Sequence, residues 1–156
     1  MSLIEEIRTR QNITKDQLVH LLTTEDESLL TRLKITARAV ADSVYGNQIF
    51  IRGLIEFTNY CKNDCYYCGI RRSNTRSDRY RLTEDQILSC CQNGYELGFR
   101  TFVLQGGEDG YYTDERIIHL IRMIKEQYPD CAITLSIGEK SKESCQAYFD
   151  AGANRY

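Results

Sequence analysis

Residues 49–68 read IFIRGLIEFTNYCKNDCYYC. The first nine of these, residues 49–57, are rich in β-branched and aromatic side chains, with a single glycine. They predict a buried strand. The remainder turns polar at Thr58 and sets Cys61, Cys65 and Cys68 in a Cys-x3-Cys-x2-Cys spacing. A strand that empties into a cysteine-rich loop is the feature from which the rest of the chain is read.

Toward the C-terminus the loop runs to about Leu82. Thr83 and Gln86 then form a capping box, and Ile87, Leu88, Cys91, Tyr95 and Leu97 recur as on a helix closed by Gly98. Residues 101–105 (TFVLQ) predict a second strand leading into GGEDGYY. Ile117, Ile118, Leu120, Ile121 and Ile124 predict a helix that stops before Pro129. Residues 132–137 (AITLSI) predict a third strand. Ser141 starts a helix that runs through Ala151 and ends at Gly152, and residues 154–156 read as the start of a fourth strand.

Toward the N-terminus, residues 1–46 read as helices. Leu3, Ile4 and Ile7 form a short stripe. Thr14 and Gln17 cap a segment carrying Leu18, Val19, Leu21 and Leu22. Leu29, Leu30, Leu33, Ala37, Val40, Ala41 and Val44 follow at helical spacing up to Gly46.

Strands alternating with helices predict an α/β fold with a parallel sheet. Strand starts near 101, 132 and 154 have the spacing of a βα-barrel unit. A complete eight-unit barrel takes about 250 residues. The 156 residues supply three units and the beginning of a fourth. The expectation is therefore a helical region over 1–46, followed over 47–156 by about half of a TIM-type (β/α) barrel cut at its fourth strand. A chain of this kind would be a fragment or a proteolytic product, because an open half-barrel exposes strand edges and an apolar face. A small three-layer α/β domain that closes in another way is the alternative.

Composition narrows the partners. Twenty Lys+Arg against 22 Asp+Glu give a net charge of −2, with 42% hydrophobic and 27% charged residues. That is a globular balance with no basic block for nucleic acid. No apolar run approaches the roughly 20 residues of a membrane span, and the opening MSLIEEIRTR is too acidic for a signal peptide. The expected location is the cytoplasm, where the seven cysteines are free thiols.

Three thiolates on one loop can serve one metal centre. Structural zinc takes four protein ligands. No histidine lies nearby, since His20 and His119 fall in predicted helices. A 4Fe–4S cluster held by three thiolates keeps one iron open to a small molecule. A zinc module and three unrelated thiols are the alternatives. Cys90, Cys91, Cys131 and Cys145 read as core or incidental thiols. Thr134 and Ser136 alternate along the third strand and share one face, with Ile133, Leu135 and Ile137 on the other. Arg71, Arg72, Arg76, Arg79 and Arg81 read either as a solvated charge run or as holders of an anion.

The Cys61, Cys65, Cys68 triplet, with Tyr67 before the last cysteine, resembles the cluster motif of the radical S-adenosylmethionine (SAM) superfamily. The series RGLIEFTNYCKNDCYYCGIRRSN, RYRLT, LQGGED, TLSIGE and AGANRY resembles the FeFe-hydrogenase maturase HydE family over nearly the whole chain. Methylornithine synthase and biotin synthase share the broader pattern.

The resemblance implies an enzyme in which the three cysteines hold a 4Fe–4S cluster. SAM chelates the open iron and is cleaved reductively to a 5′-deoxyadenosyl radical. It further implies that Gly106, Gly107 and Glu108 meet the SAM amino group, that Tyr67 flanks the adenine, and that Thr134, Ser136 and Glu139 contact SAM or substrate. The implied process is assembly of the hydrogenase H-cluster from a small-molecule or organometallic substrate. The implied partners are a ferredoxin- or flavodoxin-type electron donor and other hydrogenase maturases. It assigns no catalytic side chain.

Overall fold

The computed structural model describes residues 2–156. The chain divides into two compact units, Met1–Ile49 and Phe50–Tyr156. The first contains α1 (Leu3–Arg10), α2 (Lys15–Thr23) and α3 (Glu27–Tyr45). Thr14 and Gln17 form the expected capping box at α2, and Asp26 caps α3 through the amides of Ser28 and Leu29. Gly46 closes α3 at positive φ.

The second unit is an open parallel sheet, β1 (Gly53–Thr58), β2 (Thr101–Gly106) and β3 (Ala132–Ser136), in the order β1-β2-β3. Its crossovers are α4 (Glu84–Glu96) and α5 (Asp114–Gln127), and α6 (Lys142–Ala151) follows β3. Thr83 with Gln86, Thr113 and Ser141 cap these helices as a chain leaving a strand end requires. A parallel bridge from Thr134 to Arg155 marks the approach of the next extended segment.

Alternation decides the faces. Ile55, Phe57, Phe102, Leu104, Ile133 and Leu135 are buried in one core with Ile87, Ile117, Leu120, Ile121, Ile124 and Tyr148 of the helices. The other face carries two rows in register, Leu54–Val103–Thr134 and Glu56–Gln105–Ser136. Four of these six residues, Leu54, Glu56, Gln105 and Ser136, are exposed. A sheet covered by helices on one side and open on the other is an arc of a βα barrel.

The first strand differs from the sequence expectation. Ile49, Phe50 and Ile51 are 88%, 69% and 64% exposed, and β1 begins only at Gly53. Register explains the difference. Gly53 pairs with Phe102, one residue into β2, so the chain before it runs past the start of the neighbouring strand. Apolarity alone does not tell a paired β-branched residue from an unpaired one.

Candidate metal and SAM site

Between β1 and α4 lie residues 59–83, far longer than an ordinary βα connection. This loop carries all three clustered cysteines at the C-terminal end of the sheet. It has almost no ladder of its own and is held by side chains. Its return leg pairs with the end of β1 through Asn59 N–H to the Tyr80 carbonyl and Leu82 N–H to the Phe57 carbonyl. Arg79 binds it internally. Its guanidinium donates to the carbonyls of Asn59, Ile70, Arg71 and Asn74, at 2.5–3.1 Å.

Arg81 makes a bidentate pair with Asp109 at 2.6 and 2.8 Å and lies 3.9 Å over the Tyr60 ring. The Asp109 carboxylate is 3% exposed. Burial pushes its pKa up, but Arg81, the Tyr111 amide and the Thr58 hydroxyl outweigh burial and hold it below the usual range. Arg71 donates to the Cys68 carbonyl. Arg72 and Arg76 are exposed, whereas Arg79 and Arg81 are committed to these partners. The latter two are the framework of the cysteine loop.

The loop docks on the end of β2. A Cβ at Gly107 would stand 2.2 Å from the Tyr60 carbonyl oxygen and 2.7 Å from Cys61 Cβ. A Cβ at Gly106 would meet Thr58 and Phe57. The space that these glycines open is filled by the chain itself, which seats Cys61 against the strand end. Lys62 N–H donates to the Glu108 carbonyl, and Lys62 Nζ lies 2.9 Å from Glu108 Oε2. Asn63 Nδ2 donates to Glu108 Oε1 at 2.7 Å.

The hydrogen bond from Lys62, aided by the Glu139 backbone and Asn63, holds the Glu108 carboxyl below its ordinary value. Gly138, at φ +84°, makes room for this carboxylate, since a Cβ there would stand 1.9 Å from Glu108 Cγ. A cleft of about 170 Å³ opens beside it on the helix side, lined among others by Phe57, Glu108, Ile117, Ile137 and Glu139, while the three cysteines, Tyr67, Thr134 and Ser136 lie outside it.

Thr134 Oγ1 is buried without a hydrogen-bond partner, and Ser136 is exposed beyond it on the open face. Tyr66 and Tyr67 are 99% and 94% exposed. Cys61 and Cys68 are half-buried, Cys65 is exposed, and all three are free. Cys91 and Cys131 are buried, and burial raises the Cys91 thiol to about 12, as befits a core thiol. Sequence reasoning named Arg79 and Arg81 without these partners and missed Lys62, Asn63 and Asp109, whose roles depend on residues distant in the chain. The legible signal was GGED itself, with two carboxylates just past a strand.

A helix-backed parallel sheet with a three-cysteine loop at the C-terminal end of its first strand defines the class, and the chain belongs to the Radical SAM superfamily, whose family model matches residues 55–156. Its relatives are specific. It is 35% identical to the [FeFe] hydrogenase maturase subunit HydE of Thermotoga maritima over 94% of this chain and 42% of the relative. It is also 35% identical to the 3-methylornithine synthase of Methanosarcina barkeri over 98% of this chain and 44% of the relative.

Among solved structures it matches methylornithine synthase (PylB) with a TM-score of 0.81 at 33% identity, over 98% of this chain and 45% of that one. It matches the hydrogenase maturase HydG with a TM-score of 0.83 at 28% identity, over 97% of this chain and 34% of that one. The chain thus spans less than half the length of these relatives.

Members of the superfamily use a 4Fe–4S cluster and SAM. Among the described residues, no group of three His, Cys, Asp or Glu side chains is gathered tightly enough for a single metal ion. A four-iron cluster asks for less convergence, because each thiolate takes its own iron. Three free thiols on one loop, with the first seated on β2, fit that donor set. No helix among the described residues is long and apolar enough to cross a membrane.

Proposed function

We propose that Cys61, Cys65 and Cys68 hold the 4Fe–4S cluster and that SAM binds beside Glu108. The docking of the cysteine loop onto the end of β2 carries this reading. Cys61 packs against Gly107 and Lys62 pairs with Glu108, so the first cysteine and the carboxylate share one strand end. When bound and reduced, the cluster supplies the electron that cleaves the SAM sulfonium. The chain's own residues bind and orient. Glu108 accepts from the ligand's ammonium. Gly106 and Gly107 keep the strand end low, and Thr134 Oγ1 offers an unused hydroxyl. Ser136 and Glu139 border the place where SAM or substrate lies, and Tyr67 turns in to flank the adenine.

The whole enzyme's role that we favour is assembly of the hydrogenase H-cluster. The YCGIRR run over residues 67–72, which includes the last clustered cysteine, and 35% identity to HydE over 94% of this chain support it. Methylornithine synthesis is the second reading, supported by equal identity to that enzyme. Anaerobic reconstitution tests the site. The expected result is about four irons per chain, a visible charge-transfer absorption and an EPR signal that SAM perturbs. One tightly bound zinc with none of these would overturn it. Deoxyadenosine formation by the 156-residue chain alone is expected to be weak, because the remaining strands are needed to complete the pocket.

A further inference from the structure

Lys62 lies between Cys61 and Cys65, and its ammonium occupies the carboxylate that faces the cleft. The Glu108 side chain is only 14% exposed. One oxygen takes Asn63 Nδ2 and the other takes Lys62 Nζ, while the missing Cβ of Gly138 leaves room for its Cγ. The Lys62 side chain is 70% exposed. The acceptor is therefore fixed and the ammonium is not. An exposed ion pair contributes little and forms and breaks freely, whereas a rigid carboxylate at a cleft wall keeps its geometry for any ammonium that arrives.

We infer that Lys62 is an exchangeable internal ammonium. In the ligand-free protein it fills the place on Glu108 that the amino group of SAM takes, and SAM binding releases it into solvent. This rests on the proposal that SAM uses Glu108. It adds that the cysteine loop itself competes for that carboxylate, so that Lys62 sets SAM affinity. It also makes Lys62 a selectivity residue. A ligand without a primary ammonium leaves Lys62 in place and gains nothing from Glu108.

The test is a binding cycle on the cluster-reconstituted protein, read by anaerobic calorimetry with SAM and with its analogue lacking the amino group. Iron content and visible spectrum are matched between variants. Lys62→Gln is expected to tighten SAM about two- to fivefold, the scale of an exposed pair. It should leave the deaminated analogue unchanged. Lys62→Arg, which keeps an exchangeable cation, should stay within about twofold of the parent. Glu108→Gln should weaken SAM in either background.

Equal tightening of both ligands would show a general charge effect and overturn the exchange. Loss of SAM affinity in Lys62→Gln would show a lysine that stays and holds the ligand, which also overturns it. If the parent binds SAM and Glu108→Gln leaves affinity unchanged, the SAM-site reading itself fails, and the exchange with it.

Discussion

The sheet of the second unit and the loop over residues 59–83 are made by different forces. The sheet is held by burial, with Leu104, Ile117, Ile121, Ile124 and Ile133 wholly inaccessible. The loop contributes no large apolar side chain of comparable depth. Arg79 ties it by four hydrogen bonds to carbonyls, and the Arg81–Asp109 pair fastens it to the strand end. Apolar burial is non-directional and large, so it stabilises without fixing atoms to tenths of an ångström. Charge-assisted hydrogen bonds contribute less but are directional. Stability and site geometry therefore lie in separate residues, and mutation should separate them.

The largest effect belongs to the sheet. Leu104→Ala empties the middle of β2 and is expected to cost about 3–5 kcal/mol of global stability. Urea unfolding should show a lower midpoint, with cluster content unchanged below the transition. A loss of cluster at full stability would break the division. Gly107→Ala comes next and joins the two regions. A Cβ 2.2 Å from a backbone carbonyl has no flexible neighbour to displace. The cysteine loop must lift from β2, at on the order of 3 kcal/mol if the overlap is to be kept. Iron content after reconstitution is expected to fall several-fold, with far less change in unfolding.

Arg79→Ala should sharpen the contrast further. The four carbonyls it leaves are solvated only if the loop opens. The expected outcome is a local loss of about 2 kcal/mol, faster amide exchange over residues 59–74, and poor cluster retention. The unfolding midpoint of the sheet should hold. If the midpoint falls as far as in Leu104→Ala, loop and core are one cooperative unit.

The same division explains what was legible in the sequence. Elements built by local rules could be read directly. The capping boxes at Thr14–Gln17 and Thr83–Gln86 were visible in four residues each, and the alternation of Ile133, Thr134, Leu135 and Ser136 predicted which of them the core would bury. The strand over 49–57 was misplaced at its start because ladder length depends on where β2 begins. The arginines were the harder case. Their alternatives were solvent or an anion, and the partners they found are backbone carbonyls and Asp109. Nothing in the spacing of RRSNTRSDRYR announces a carbonyl acceptor, since every residue carries one.

The smallest effect tests a charge-held cluster away from the cysteine loop, where Asp114 at the head of α5 gathers the segment after β3. It accepts from Lys140 at 2.8 Å, Ser144 at 2.5 Å and Tyr148 at 2.6 Å. These bonds, led by that of Lys140, hold its pKa down to about 2. A folded-state value below the unfolded one stabilises above the unfolded pKa and is lost as pH falls toward the folded one. The window is therefore about pH 4 down to 2. The side chain is 37% exposed, so solvent screening reduces the contribution to about 1 kcal/mol. Asp114→Asn should lie below the parent by that amount at pH 6 and converge with it near pH 2. A gap that persists at pH 2 would show that Asp114 acts by shape rather than charge. That would place the β3–α6 connection, and with it Glu139, among the parts that packing positions rather than those that charge holds.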